Sequence, residues 1–479
     1  MLQNKDIANI QEVKTFFKDS WTQPEFFAIH LNLFKFKKSS AFFSSVKTSG
    51  ISYWDLLSTL LLLPFTGIKN VYGLQNNSFA PKTSGEKDVY YRALENQKVN
   101  WRKLLSLFVE RYLLLDQKFS APKCNFRCLI FDDSDLPKRG KKIEGVSKTF
   151  NHVTKQFIFG YKLLVAGYWN GSVFIPVDFS LHRENKDNKK KYGLTNKERK
   201  KQKKIQRDKN LPVFKRFQEL NFKKTDMVVN MFKRINKRKI HVDYILFDSW
   251  FTSMKLIKEL CSVNKDIHVI GMYKYNSKVN INGKELTIKE LRKYRSKISR
   301  SRSLKLYYYQ YTGELDGMKV KIFITKRGVN GAWHTILSTN TSLTFTKAME
   351  VYNTRWTIEV FFKEAKQLLG LGKCQSTNFD VQVAQTTITM IQYLMLSLKH
   401  RMEAYETIGG MFKDVKQDFI EHKLNERILA VITEILNVLE LIIGNIDFNE
   451  VIEKLMANSE ILGFLNKTSE QENFSKLAA

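Results

Sequence analysis

The chain changes character at Cys128-Leu129-Ile130-Phe131-Asp132-Asp133-Ser134, where four apolar residues are followed by two acids and a serine. A short apolar run that is bounded by polar residues is typical of a buried strand. Upstream of it, residues 1 to about 120 carry apolar side chains at helical spacing, as in Tyr53 to Leu63 and in Trp101 to Leu115. The pattern therefore predicts a helical N-terminal region that gives way to a sheet.

Further strands follow this first one. Two are predicted at Gln156 to Tyr168 and at Ser172 to Phe179, joined by the turn signal Asn170-Gly171. Another, Val242 to Phe247, stops at Asp248-Ser249-Trp250 and precedes an amphipathic helix. Three antiparallel strands followed by alternating helices and strands form the element order of a ribonuclease-H-like core. We therefore predict an α/β fold with a mixed sheet flanked by helices.

The rest of the chain divides by composition. Residues 183–210 are rich in Lys and Arg and poor in apolar side chains, which predicts a basic loop, and one helix is expected over 211–237. Alternating stretches between glycines predict a β-rich insertion, and a single long helix is expected over 345–371. The predicted domains are a helical N-terminal region (1–120), the first part of the α/β core (121–273), the β-rich insertion (274–345), a core helix (346–377) and a helical C-terminal region (378–479).

The charge balance indicates the class of partner. The chain has 79 Lys and Arg against 47 Asp and Glu, a formal net charge of +32, which favours a polyanion. No apolar stretch reaches the roughly 20 residues that cross a bilayer, so we expect no membrane partner. The N-terminus lacks the layout of a secretory signal, which predicts a cytoplasmic protein. The four cysteines lack the spacing of a disulfide framework or a zinc site.

A polar stripe is predicted on the long helix. At about 100° per residue, four polar side chains fall within an arc of about 60°: Tyr352, Arg355, Glu359 and Lys366. One acid beside two cations and a phenol suits a metal ligand next to groups that bind phosphate. Ordinary ion pairing between helix-surface residues would produce part of the same pattern.

Two aspartates strengthen the catalytic interpretation. Asp132 and Asp248 each follow an apolar strand, and side chains at such strand ends face the crevice that binds ligands in α/β folds. An aspartate at a strand end alone is also a common turn or cap residue. Asp133 stays an alternative to Asp132, because the strand could end at either residue.

The spacing of the stripe carries a resemblance to a known family. Tyr352, Arg355, Glu359 and Lys366 are separated by two, three and six residues, which resembles the Tyr-Arg-Glu-Lys signature of the IS-four group of DDE transposases from bacterial insertion sequences. The runs Asp132-Asp133-Ser134 and Phe247-Asp248-Ser249 resemble the two acidic blocks of that group. The resemblance extends from about Phe126 to Lys366.

The resemblance implies a DNA transposase that excises a mobile element and inserts it into target DNA. Asp132, Asp248 and Glu359 would then bind two Mg²⁺ ions, with Mn²⁺ as a substitute, because hard carboxylate ligands suit these ions in phosphodiester chemistry. Tyr352, Arg355 and Lys366 would contact phosphates at the transposon end. In this group excision often passes through a DNA hairpin.

The implied partners are terminal inverted repeats and target DNA, both double-stranded, on a protein that is nucleoid-associated when bound. The N-terminal helices would read bases, because helices in the major groove do so while catalytic grooves contact phosphates. The C-terminal helices, including Arg427 to Ile443, would either join two subunits in a homodimer on DNA or pack in a core. Two rival hypotheses are a ribonuclease-H-like site-specific nuclease and a catalytically silent, transposase-derived DNA-binding protein.

Overall fold

A computed structural model describes most of the chain between residues 42 and 417. The described residues are 42, 45–47, 49–76, 85–117, 124–151, 154–184, 193–294, 298–328, 330–402, 407–417, 420 and 457. Most of them lie in one compact unit made of residues 29–78 and 82–416. The C-terminal helices predicted around residues 427–443 lie outside the described residues.

Helices precede the sheet, as predicted. They are α1 (Tyr53–Leu62), α2 (Val71–Gln75), α3 (Lys87–Glu95) and α4 (Trp101–Asp116). Asn100 caps α4, because its side chain accepts a hydrogen bond of 3.0 Å from the backbone N–H of Lys103 and so satisfies one of the free donors at the helix start. Among the described helices, none is both long and apolar enough to cross a membrane.

Twelve strands of the described chain form one mixed sheet. They are β1 (Cys128–Pro137), β2 (Ser147–Asn151), β3 (Gln156–Trp169), β4 (Phe174–His182), β5 (Tyr244–Phe247), β6 (His268–Met272), β7 (Lys278–Ile281), β8 (Lys284–Thr287), β9 (Ser299–Ser301), β10 (Leu306–Leu315), β11 (Met318–Arg327) and β12 (His334–Ser338). The order across the sheet is β2-β3-β1-β5-β6-β12-β11-β10-β7-β8, with β4 paired to β3 and β9 paired to β10.

The centre of the sheet has the predicted plan. Strands β1, β3 and β4 pair antiparallel, and β5 and β6 then follow parallel to β1. The helix α7 (Lys224–Lys237) connects β4 to β5, and α8 (Met254–Val263) connects β5 to β6. The prediction of a mixed sheet with flanking helices is confirmed. Strand β2 was missed, since it is short and carries few apolar side chains.

The described part of the region from 274 to 345 contains six strands, β7 to β12, and the short helix α9 (Ile288–Tyr294). The predicted β-rich content is therefore observed. Strand β12 pairs antiparallel with β6 through Ile336 and Met272, so these strands extend the central sheet.

The segment before β5 is more divided than predicted. Residues 211–237 form α6 (Pro212–Gln218), a 3-10 turn (Glu219–Asn221) and α7 instead of one helix. The basic stretch before it is also not a plain loop, since it contains α5 (Asn196–Lys200) and the buried Arg207. Arg207 pairs with two acids that are far away in the sequence, and composition cannot reveal such pairing.

The prediction of one long helix over residues 345–371 is also wrong. The structure has α10 (Phe345–Asn353) and α11 (Trp356–Gln367), which meet at Thr354 and Arg355. The Thr354 hydroxyl donates to the carbonyl of Val351 at 2.7 Å, and the Thr357 hydroxyl donates to that of Thr354 at 2.7 Å. The break is a tightened turn, because the N–H groups of Thr354 and Arg355 donate to the carbonyls three residues back, those of Val351 at 3.2 Å and Tyr352 at 3.0 Å.

Aromatic packing fixes α11 against the sheet. The Phe361 ring lies 5.3 Å from Phe174 on β4 and 4.8 Å from Tyr393 on the last described long helix, α12 (Phe379–Met402). Aromatic pairs of this kind contribute about 0.5–1.5 kcal/mol beyond the burial of their surface. This contact holds in place the helix that carries Glu359.

Candidate active site

Asp132 lies inside β1 and not at its end, which corrects the sequence-based expectation. Pairing with β3 continues to Pro137, whereas pairing with β5 stops at Ile130. Asp132 is therefore just beyond the point at which β1 loses its neighbour on one side. Successive strand residues point to opposite faces, so Asp132 and Ser134 share one face and Asp133 points to the other.

Asp248 directly follows β5, as predicted, and its own turn orients it. One carboxylate oxygen accepts hydrogen bonds from the backbone N–H groups of Trp250 at 3.0 Å and Phe251 at 3.2 Å. The Thr252 hydroxyl donates to the carbonyl of Asp248 at 2.6 Å. Gly271 on β6 leaves room for Thr252, since a Cβ there would lie 2.2 Å from the threonine Oγ1. The sequence pattern gives no sign of this support.

Arg355 connects two of the candidate acids. Its guanidinium contacts Asp132 on β1 at 3.3 Å through Nη1 and Glu359 on α11 at 2.5 Å through Nη2. The side chains of Arg355 and Asp132 are only 14% and 16% exposed, so water screens this contact weakly. The fold thus brings Asp132 and Glu359 to one guanidinium.

The negative charge of Asp248 affects the ionisation of the Asp132 carboxyl. Burial, followed by the negative charge of Asp248, raises the pKa of Asp132 to about 7, even though Arg355 opposes the shift. Two carboxylates that share a site raise each other's cost of ionisation. Asp248 is therefore close enough for its charge to raise the pKa of the Asp132 carboxyl.

The remaining residues of the predicted stripe surround these acids. The Lys366 Nζ donates to the Ser134 hydroxyl at 2.7 Å, so α11 contacts β1 two residues after Asp132. Tyr352 is buried, and its ring centre is 5.9 Å from the guanidinium carbon of Arg355. Tyr352 belongs to α10, so the predicted stripe spans two helices and not one.

Asp133 has a different partner from Asp132. Its carboxylate pairs with the Lys224 Nζ at 2.9 Å, on the side of the strand away from Arg355. The same ammonium lies 4.0 Å from the centre of the exposed Trp250 ring. The sequence pattern gives no signal for Lys224, which is 91 residues from Asp133 along the chain.

The predicted three-acid ligand set is not assembled in this arrangement. Within the described ranges, no three or more His, Cys, Asp or Glu side chains lie close enough together to hold one metal ion. Instead, Asp132 and Glu359 are each paired with Arg355. Asp132 and Asp248 do fit a divalent cation, because they offer hard oxygen ligands whose mutual repulsion a cation would relieve.

The sequence of the chain matches one family of known proteins. The family model described as "Transposase DDE domain" matches residues 124–395. The chain belongs to this family. The match covers more than half of the 479 residues and includes all the candidate site residues. This transposase is therefore an enzyme of DNA recombination, and its partner is DNA, the polyanion that the charge balance predicted.

A solved transposase structure is distantly similar to the chain. Among solved structures, the chain is similar to a piggyBac transposase in a cryo-EM synaptic complex with hairpin DNA. The identity is 13% and the TM-score 0.39, over 86% of this chain and 80% of that chain. No curated protein matches the chain.

Proposed function

We propose that this transposase moves a bacterial insertion sequence of the IS-four group by a cut-and-paste reaction. It would bind the terminal inverted repeats, cleave the DNA at each end and join the freed 3′ ends to target DNA. The spacing of Tyr352, Arg355, Glu359 and Lys366 supports the group assignment. Membership of the DDE family supports the class of reaction.

One observation carries the proposed active site. A single guanidinium, that of Arg355, contacts Asp132 and Glu359 at once, while the charge of Asp248 acts on Asp132. Three acids from β1, from the end of β5 and from α11 are thus linked through one small cluster. This supports Asp132 over Asp133, because Asp133 is engaged by Lys224 on the other face.

In this proposal Asp132, Asp248 and Glu359 bind two Mg²⁺ ions, for which Mn²⁺ can substitute. When bound, such ions neutralise charge on the scissile phosphate and activate the attacking oxygen. Arg355 would exchange its carboxylate partners for a phosphate oxygen, since a guanidinium binds either anion through the same two donors. Tyr352 and Lys366 would contact the DNA backbone next to it.

The regions outside the active site would have their own roles in the transposition reaction. Residues 1–120 would recognise the inverted repeats, and residues 378–479 would contribute contacts in a homodimer on DNA. The ribonuclease-H-like core would consist of residues 121–273 and 346–377, interrupted by the β-rich insertion at 274–345. The observed order of β1, β3, β4, β5 and β6 supports this core.

An excision assay tests the proposal. A plasmid carrying the element's two DNA ends is incubated with Mg²⁺ and wild-type protein, Asp248→Asn or the matched control Asp266→Asn, an exposed aspartate on the loop before β6. We expect excision and joined products with the wild type and the control, and neither with Asp248→Asn. Cleavage without joining would favour the nuclease hypothesis, and inactivity of all three proteins would favour the silent DNA-binding hypothesis.

A further inference from the structure

Lys224 connects the two segments that carry the candidate aspartates. It is the first residue of α7, and its ammonium contacts the Asp133 carboxylate on β1 at 2.9 Å. It also lies over the ring of Trp250, in the turn after β5, at 4.0 Å. One cation therefore reaches both strands of the site from the face opposite Arg355.

Two residues that Lys224 contacts, Asp133 and Trp250, also orient the aspartates through their backbone N–H groups. The N–H of Asp133 donates to the Asp132 carboxylate at 2.8 Å. The N–H of Trp250 donates to the Asp248 carboxylate at 3.0 Å. A displacement of either contacted residue would thus move the carboxylate beside it.

The ammonium itself is held firmly. Its side chain is 17% exposed, and α7 buries the apolar face that contains Met227, Met231 and Ile235. Just before the helix, a ring nitrogen of the buried His182 hydrogen-bonds the carbonyl of Phe222 at 3.0 Å. The start of α7 is therefore fixed to β4, which gives Lys224 a rigid support.

We propose that Lys224 is a positioning residue that sets the separation of the Asp132 and Asp248 carboxylates for a divalent cation. This inference rests on the proposed function, because it takes those two carboxylates as metal ligands. Removal of the ammonium leaves the Asp133 charge unbalanced beside Asp132 and frees the turn that contains Trp250. Loss of a group that orients metal ligands typically weakens metal binding by about 10–100-fold.

Binding of Mn²⁺ alone to the purified full-length chain, followed by electron paramagnetic resonance, tests the inference. We expect Lys224→Gln to weaken Mn²⁺ binding by about 10–100-fold, and Lys224→Arg to restore most of it because the cation is kept. Lys223→Gln, which alters an exposed lysine next to it, is expected to bind as the wild type does. Thermal unfolding of each variant reports folding separately.

A second variant covers the case in which Lys224→Gln does not fold. Trp250→Ala removes an exposed ring and its contact with Lys224, while the ion pair to Asp133 stays. We expect it to fold and to bind Mn²⁺ more weakly than the wild type.

Wild-type affinity in folded Lys224→Gln, or in Trp250→Ala where Lys224→Gln does not fold, would overturn the positioning role. The proposed function would survive that result if Asp132→Asn still abolished Mn²⁺ binding and the wild type still excised DNA. Failure of the wild type to bind Mn²⁺ would overturn both.

Discussion

Replacement of Glu359 by glutamine is expected to lower the rate of DNA-end cleavage by at least about 10³-fold, because a metal site contributes several kcal/mol of transition-state stabilisation. The substitution keeps the size of the side chain and removes its charge. Glu359 is one-third exposed at the start of α11, so the loss of its carboxylate should leave the fold intact. The measurement is single-turnover cleavage of labelled end DNA with Mg²⁺.

Glu350 offers a matched control for this experiment. It lies on the neighbouring helix α10, is exposed and pairs only with Lys347 among the described residues. Glu350→Gln should cleave DNA as the wild type does. If Glu359→Gln also cleaved at the wild-type rate, Glu359 would have no place in the active site.

Asp178→Ala is expected to reduce the free energy of unfolding by about 3–5 kcal/mol, the usual cost of breaking a buried ion pair from one side. Asp178 on β4 is buried and pairs with Arg102 from α4 at 3.1 Å and with Arg234 from α7 at 2.6 Å. Burial alone would raise its pKa, but the charges of Arg102, Arg234 and Arg216 outweigh burial and hold the pKa well below its usual range.

The mutation would leave positive charges inside the protein without the carboxylate that balances them. Arg102 would retain Glu219, to which it donates two hydrogen bonds of 2.8 Å, but Arg216 relies on the same glutamate. Chemical unfolding of the variant beside Asp266→Ala, at an exposed aspartate, gives the difference. A change below about 1 kcal/mol, the value of a surface pair, would show that the cluster does not stabilise the fold.

The sign of the pH dependence follows from the same group. Its folded-state pKa is depressed, so Asp178 contributes stability above its unfolded pKa, and this contribution is lost as the pH falls through the folded value. The difference in stability between Asp178→Ala and the wild type should therefore be largest near neutral pH and should shrink in acid.

The central strands were predictable because each is a short apolar run with a polar boundary. The run before Asp248 ends where β5 ends, so the position of that acid followed from the sequence. The run before Asp132 was misleading, since β1 continues through four polar residues that β3 supports by pairing. Pairing partners distant in sequence decide such strand ends, and local pattern does not contain them.

The contacts among the site residues could not be predicted from the sequence for the same reason. Helical spacing suggested that Arg355 and Glu359 share a face, and they do form an ion pair. The spacing could not show that Asp132 shares the same guanidinium, or that the helix is interrupted at Thr354 and Arg355. Lys224 lay in an ordinary basic segment, and only the fold places its ammonium against Asp133 and Trp250.

Anomalous X-ray diffraction from crystals soaked in Mn²⁺ would measure most directly whether the acids form a metal centre. We predict an anomalous peak between the carboxylates of Asp132 and Asp248, with Arg355 displaced from Glu359 and Glu359 turned toward the ion. Crystals of an active protein with no peak at these carboxylates, at Mn²⁺ concentrations that support cleavage, would contradict the proposed active site.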